Sequence, residues 1–128
     1  METNFNFKSS VCTDKNQSER LLALGLKKET ADMYYRANWI NAVAANDVID
    51  LYEDDAIPAW SLDRLLCMLP DDAPKIYWIL DGASITIGFE DNDTDFFPHK
   101  EDIYEGVVKC IEWLIKEGYF PKEYLVLV

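Results

Sequence analysis

The sequence is short of histidine, cysteine motifs, long apolar runs and basic charge, and each shortage closes off a class of function. There is one histidine, His99, in 128 residues. The three cysteines, Cys12, Cys67 and Cys110, are odd in number and far apart, with no C-x-x-C. A Cys/His zinc site therefore lacks ligands at workable spacing, and no metal or cofactor site is read. The same scatter offers no disulfide framework, so free, partly buried thiols in a reducing cytoplasm are expected. No stretch approaches the roughly 20 apolar residues of a membrane span, and no membrane partner is expected. Met1 to Val11 lack a basic segment followed by an apolar one, so no secretory signal is read there and a cytoplasmic protein is expected. A G-x-S-x-G elbow, a phosphate loop and a dinucleotide fingerprint are all missing.

Basic charge is the other shortage. Twelve Lys and Arg stand against twenty-four Asp and Glu, for a net charge of −12. Residues 41–128 carry nineteen of the acidic residues and six of the basic ones. Such a field repels phosphates, which argues against direct DNA or RNA binding by that part of the chain, and it attracts a basic protein surface. The plain alternative is charge that serves solubility.

What is present is ordinary globular material. With 49% apolar, 28% charged and 13% aromatic residues, the chain can bury a core in a single domain, 1–128. No repeat or low-complexity linker divides it. Residues 1–15, with Phe5, Phe7 and Val11 loosely alternating, read as an edge strand or an ordered tail, and 121–128 as a tail or short strand. Asn16 or Ser18 is placed to cap a helix carrying Leu21, Leu22 and Leu24, with Gly25 as its C′ residue. A second short helix is expected around Glu29 to Arg36. Residues 38–52 stay open: Trp39, Ile40, Val43 and Ala44 suit a helix, and Val48 to Tyr52 a strand. Ser61 is a good N-cap for a helix with Leu62, Leu65, Leu66 and Leu69 on its buried stripe, and Pro70 stops it.

Ile76 to Leu80 and Ala83 to Glu90 read as a hairpin joined at Asp81-Gly82, with Tyr77, Ile79, Ile85, Ile87 and Phe89 as the alternating positions. Two strands alone are marginal, so the hairpin needs a third strand or a helix against it. A long helix is expected from about Glu101 to Glu117, with Gly118 as C′ and Glu105–Lys109 and Glu112–Lys116 as i,i+4 pairs. At 100° per residue its apolar arc covers about 220° of the wheel. Tyr104, Val107, Val108, Ile111, Leu114 and Ile115 form one face, and Gly106, Cys110 and Trp113 a second. The first packs on the sheet. The second must be covered by the N-terminal helices or by a partner, so Trp113, Cys110 and Gly106 are the candidate interface, to a second copy or another protein.

The candidates for chemistry are weaker. Asp91, Asp93 and Asp95 have the D-x-D-x-D spacing of a calcium loop, with Asp102 at position twelve. Phe96 stands where such a loop needs glycine, Pro98 stiffens its middle, and a strand precedes it, so 90–95 reads as a solvated acidic loop. Asp50, Glu53, Asp54 and Asp55 cluster in sequence, but nothing separates a buried carboxyl from an exposed one, as acid–base work requires. They read as a polar turn before Ile57-Pro58. His99 has no nucleophile motif to serve. Trp39, Trp60 and Trp78 read as core. No catalytic or cofactor-binding residue is assigned.

Thr30-Ala31-Asp32-Met33, Ile57-Pro58-Ala59-Trp60-Ser61-Leu62 leading to Leu69-Pro70, Ile111-Glu112-Trp113-Leu114-Ile115 and Gly118-Tyr119 occur in that order. Over residues 18–125 this set resembles a group of small uncharacterised proteins from prophages and conjugative elements of Bacteroides-type gut bacteria. The resemblance implies a bacterial cytoplasmic setting and an accessory role, with no activity to carry over. The fold expected is α+β, a small antiparallel sheet built on the 76–90 hairpin and packed against the long C-terminal helix and short N-terminal helices. The function expected is non-enzymatic protein binding or regulation. The alternatives are an acidic nucleic-acid mimic that occupies a DNA-binding enzyme, and a small carboxylate-based enzyme.

Overall fold

The computed structural model describes residues 11–70, 76–81, 84–89, 92–96 and 103–126. Helix α1, Lys15–Ala23, is capped by Asp14, two residues before Asn16 and four before Ser18. Asp14 accepts the Gln17 backbone N–H at 2.7 Å, and the Gln17 side-chain oxygen accepts the Asp14 N–H at 3.0 Å. This reciprocal pair satisfies two donors that a helix start leaves open. Ser18 is instead buried against Thr13, with 2.8 Å between their hydroxyls. Gly25, at φ +105°, ends α1: its N–H donates to Leu22 and that of Leu26 to Leu21. A side chain is strained at that φ, which is why glycine stands there.

The second helix expected over 29–36 is instead a 3-10 turn, Lys28–Thr30, followed by strand β1, Met33–Arg36. Long-range pairing outweighs local propensity here. Strand β1 is the middle of an antiparallel sheet, with β2, Val43–Ala44, on one side and β3, Ala56–Ala59, on the other. Pro58 is tolerated because β3 is an edge strand. Between β2 and β3 lies α2, Val48–Leu51, a single turn where a strand had been an option. Asp47 caps it and Asp50 returns the bond to the Asp47 N–H. Helix α3, Leu62–Cys67, starts at Ser61 as expected, the Ser61 hydroxyl accepting the Arg64 N–H at 3.2 Å.

A second antiparallel sheet holds β4, Ile76–Asp81, β5, Ser84–Phe89, and β6, Asn92–Phe96. Asp81 pairs with Ser84, so Asp81 closes the strand rather than opening the turn, and 82–83 lie outside the described residues. The register sets Ile76, Trp78 and Leu80, rather than Tyr77 and Ile79, opposite Phe89, Ile87 and Ile85. The acidic stretch expected to be a loop is in fact β6, paired to β5 with a register shift between Ile87 and Phe89. The hairpin thereby gains its third strand.

Helix α4, Ile103–Lys116, lies against β5, α1 and α3. Tyr104, Val107, Val108, Ile111 and Leu114 are buried, as are Gly106 and Cys110, so the helix is covered on two sides. Gly118, at φ +79°, closes it. A 3-10 turn, Lys122–Tyr124, then brings Leu125 beside Leu26 in an isolated bridge. The fold is α+β, with the long helix central.

Two devices fasten this arrangement. Trp60, between β3 and α3, is fully buried; its indole N–H donates to the Thr30 hydroxyl at 2.9 Å. Arg20 of α1 reaches α4 instead of leaving the helix to its own i,i+4 pairs. Its Nη1 donates to both Glu105 oxygens at 2.8 Å, and its Nη2 to Glu112 at 2.7 Å. Burial alone would raise the Glu105 carboxyl, but bonds from Arg20 and Gln17 outweigh it and hold the carboxyl below its ordinary value.

Trp60→Ala should cost about 3–5 kcal/mol in denaturant unfolding, as large core truncations do. Glu105→Gln should cost about 1 kcal/mol near neutral pH, the range for a partly screened charged bond. Because the folded Glu105 carboxyl is depressed, its contribution is full above the ordinary carboxylate range and fades as pH falls through the folded value. The gap between wild type and Glu105→Gln should therefore be full near neutral pH and narrow in melts taken at pH values below the ordinary carboxylate range.

Candidate functional site

The residues singled out for chemistry do not converge. Glu53, Asp54 and Asp55 are exposed where α2 turns into β3, and Asp50 serves the α2 cap. Asp93 and Asp95 lie along strand β6, where an extended backbone cannot wrap them around one ion as a calcium loop does. Asp91, His99 and Asp102 lie outside the described residues. Among the described residues, no group of three or more His, Cys, Asp or Glu is disposed to hold a metal ion.

The thiols are chemically quiet in two places out of three. Cys110 is fully buried in α4, and burial pushes its thiol up to about 12. Cys12 is buried too, and burial raises its thiol. Tyr35 donates its own proton to the Thr13 carbonyl at 2.9 Å, so the Cys12 thiol is the donor across the 3.6 Å to the Tyr35 oxygen. Cys67 is exposed.

Of the candidate interface, only Trp113 reaches the surface, and it is half-buried against the core. Its ring lies 6.2 Å from that of Tyr119, which is exposed. Arg20, Leu24, Lys109, Glu112 and Lys116 complete an open groove around it, between α1 and α4. Its charges are mixed in sign, and the Arg20 guanidinium is already spent on Glu105 and Glu112.

A second surface was not singled out from sequence. Helix α2 buries Leu51 and turns Val48, Ile49 and Tyr52 outward, with 48%, 68% and 52% of each exposed. These three share a depression with Glu53 and Asp54. A single helical turn with apolar side chains on more than one side can hide only one of them, and Leu51 takes the core side. The signal was legible: Asp47 and Asp50 are spaced as a capping pair, which marks 48–51 as helical and leaves Val48 and Ile49 without a core to face. The flanking chemistry is acidic. Residues Asp47 to Asp55 hold five carboxylates and no cation. Glu53 and Asp55 pair with Arg36, whose guanidinium also lies 5.9 Å from the rings of Tyr34 and Trp39. The Lys28 ammonium sits 5.4 Å above the Tyr52 ring, and the Tyr52 hydroxyl donates to Glu29.

Compared with protein-family models, with curated proteins and with solved structures, the chain matches none. No helix among the described residues is long and apolar enough to cross a membrane.

Iodoacetamide under native conditions should label Cys67 rapidly and leave Cys12 and Cys110 unmodified until the protein unfolds. Mass spectrometry of the modified peptides reads this directly, and fast labelling of Cys110 would mean that α4 is not packed as described.

Proposed function

We propose that this chain is a non-enzymatic protein-binding accessory protein, and that the exposed turn α2 is where it binds. The observation that carries the reading is the outward placement of Val48, Ile49 and Tyr52 on a capped turn anchored by Leu51. Apolar groups held in water on a fixed scaffold lower the free energy of association when a partner covers them. A tyrosine in such a patch adds a large contact area at small entropic cost. The resemblance to proteins of bacterial mobile elements supplies the proposed setting, a cytoplasmic accessory role.

Nucleic-acid mimicry is less well supported. A mimic must present free carboxylates in a phosphate-like row. Here Glu105 and Glu112 are held by Arg20, and Glu53 and Asp55 by Arg36, so these four carboxylates are not free to stand in such a row.

Capture from the native host, with wild type and Ile49→Lys run side by side, tests the reading. Ile49 is largely exposed, so the variant should melt within about 0.5 kcal/mol of wild type, as surface changes do. A protein enriched by wild type and lost with Ile49→Lys supports the docking role. Identical capture by both would show that α2 is not the contact.

A further inference from the structure

We propose that the partner segment that covers α2 is a basic amphipathic helix, its apolar side on Val48, Ile49 and Tyr52 and its lysines or arginines on the surrounding carboxylates. This rests on the docking reading above and names the chemistry of the occupant. The argument is one of complementarity. The apolar contact is small, three side chains on one turn, so it favours a narrow apolar stripe over a broad sheet face. Its border is acidic on balance: Asp47, Asp50, Glu53, Asp54 and Asp55 lie within nine residues, against Lys28 and Arg36 from neighbouring elements.

The chain already shows how cations sit here. Lys28 lies over the Tyr52 ring and Arg36 over Tyr34 and Trp39 while it binds Glu53 and Asp55. Asp54, exposed and lining the depression beside Ile49, is paired with no such cation among the described residues. It is the position left for one from outside. An acidic or uncharged helix would place its polar border against these carboxylates with repulsion or without gain, so the charge decides which amphipathic segments are accepted.

The test uses the full chain and synthetic probes. A labelled helix of leucines and lysines, about 18 residues long with one apolar face, is titrated by fluorescence anisotropy. Two controls accompany it: the same peptide with every lysine replaced by glutamate, and a scrambled isomer of the same composition with no apolar face. The Leu/Lys helix should bind saturably at one site. Ile49→Ser should weaken it by about tenfold or more, and Asp54→Asn by several-fold, with both variants melting as wild type. Affinity should also fall as salt rises from about 50 mM to about 500 mM, because the border is charged.

Equal binding of the scrambled isomer would reduce the effect to bulk charge attraction and overturn the inference. So would binding that survives Ile49→Ser, or no binding at all. Light scattering adds a further arm: a wild-type dimer that becomes monomeric with Ile49→Ser would assign the surface to a second copy of the chain, again overturning it. The two readings fail separately. If host capture yields an Ile49-dependent partner while the Leu/Lys helix does not bind, the inference about chemistry falls and the docking role stands. If no Ile49-dependent partner is captured, the docking role itself falls.

Discussion

Trp60 does its work through its backbone as much as through its ring. The Thr13 N–H donates to the Trp60 carbonyl at 2.9 Å, and the Trp60 N–H donates to the Thr13 hydroxyl at 3.1 Å. The indole reaches the Thr30 hydroxyl, and next to it Ser61 donates both its N–H and its hydroxyl to Asp32, at 2.9 and 2.6 Å. Three stretches distant in sequence are joined around one fully buried ring: the approach to α1, the turn before β1, and the junction of β3 with α3. Buried polar groups must be paired, and here the pairing fixes how the segments lie. Among the described residues no buried side-chain nitrogen or oxygen lacks a partner.

Charge follows the same economy. The chain is strongly acidic by formula, yet its arginines are placed to take up carboxylates in pairs. Arg20 bridges α1 to α4 through Glu105 and Glu112, and Arg36 gathers Glu53 and Asp55 at the margin of the first sheet. Around α2, five carboxylates within nine residues meet Lys28 and Arg36 from neighbouring elements, so the exposed apolar turn has a border that is acidic on balance.

The legible parts of the fold were those with long periods or strong local chemistry. Helix α4 repeats its apolar positions over fourteen residues, and both its central placement and its glycine stop follow from that pattern. The Ser61 cap announces α3, and the two apolar runs on either side of 82–83 announce the pairing of β4 with β5. The first sheet was illegible because its strands are two to four residues long and exist only by pairing, Tyr35 with Ile57 for example. Met33–Arg36 carries nothing that forbids a helix. Strand β6 is a sharper case: Asn92-Asp93-Thr94-Asp95 has low strand propensity, and its pairing with β5 overrides that. At the surface, Trp113 was the natural candidate from helix geometry, and it does border an open groove. The apolar residues of α2 escaped notice because an exposed Ile and a buried Ile read alike until a single-turn helix sets which side faces inward.

The bridge between Leu26 and Leu125, with the Lys27 N–H donating to the Tyr124 carbonyl and that of Val126 to Gly25, has a consequence for synthesis. Helix α1 leaves the ribosome before α4, and its carboxylate partners lie 85 and 92 residues further along the chain. Until they emerge, Leu21 and Leu26 have no α4 to pack on. Closing so long a loop is slow, since its entropy is lost before any contact returns it. The nascent chain must then carry exposed leucines until α4 has emerged, a state open to chaperones and to aggregation. Folding of this chain is therefore expected to be a late, nearly all-or-none event, with α1 waiting for α4.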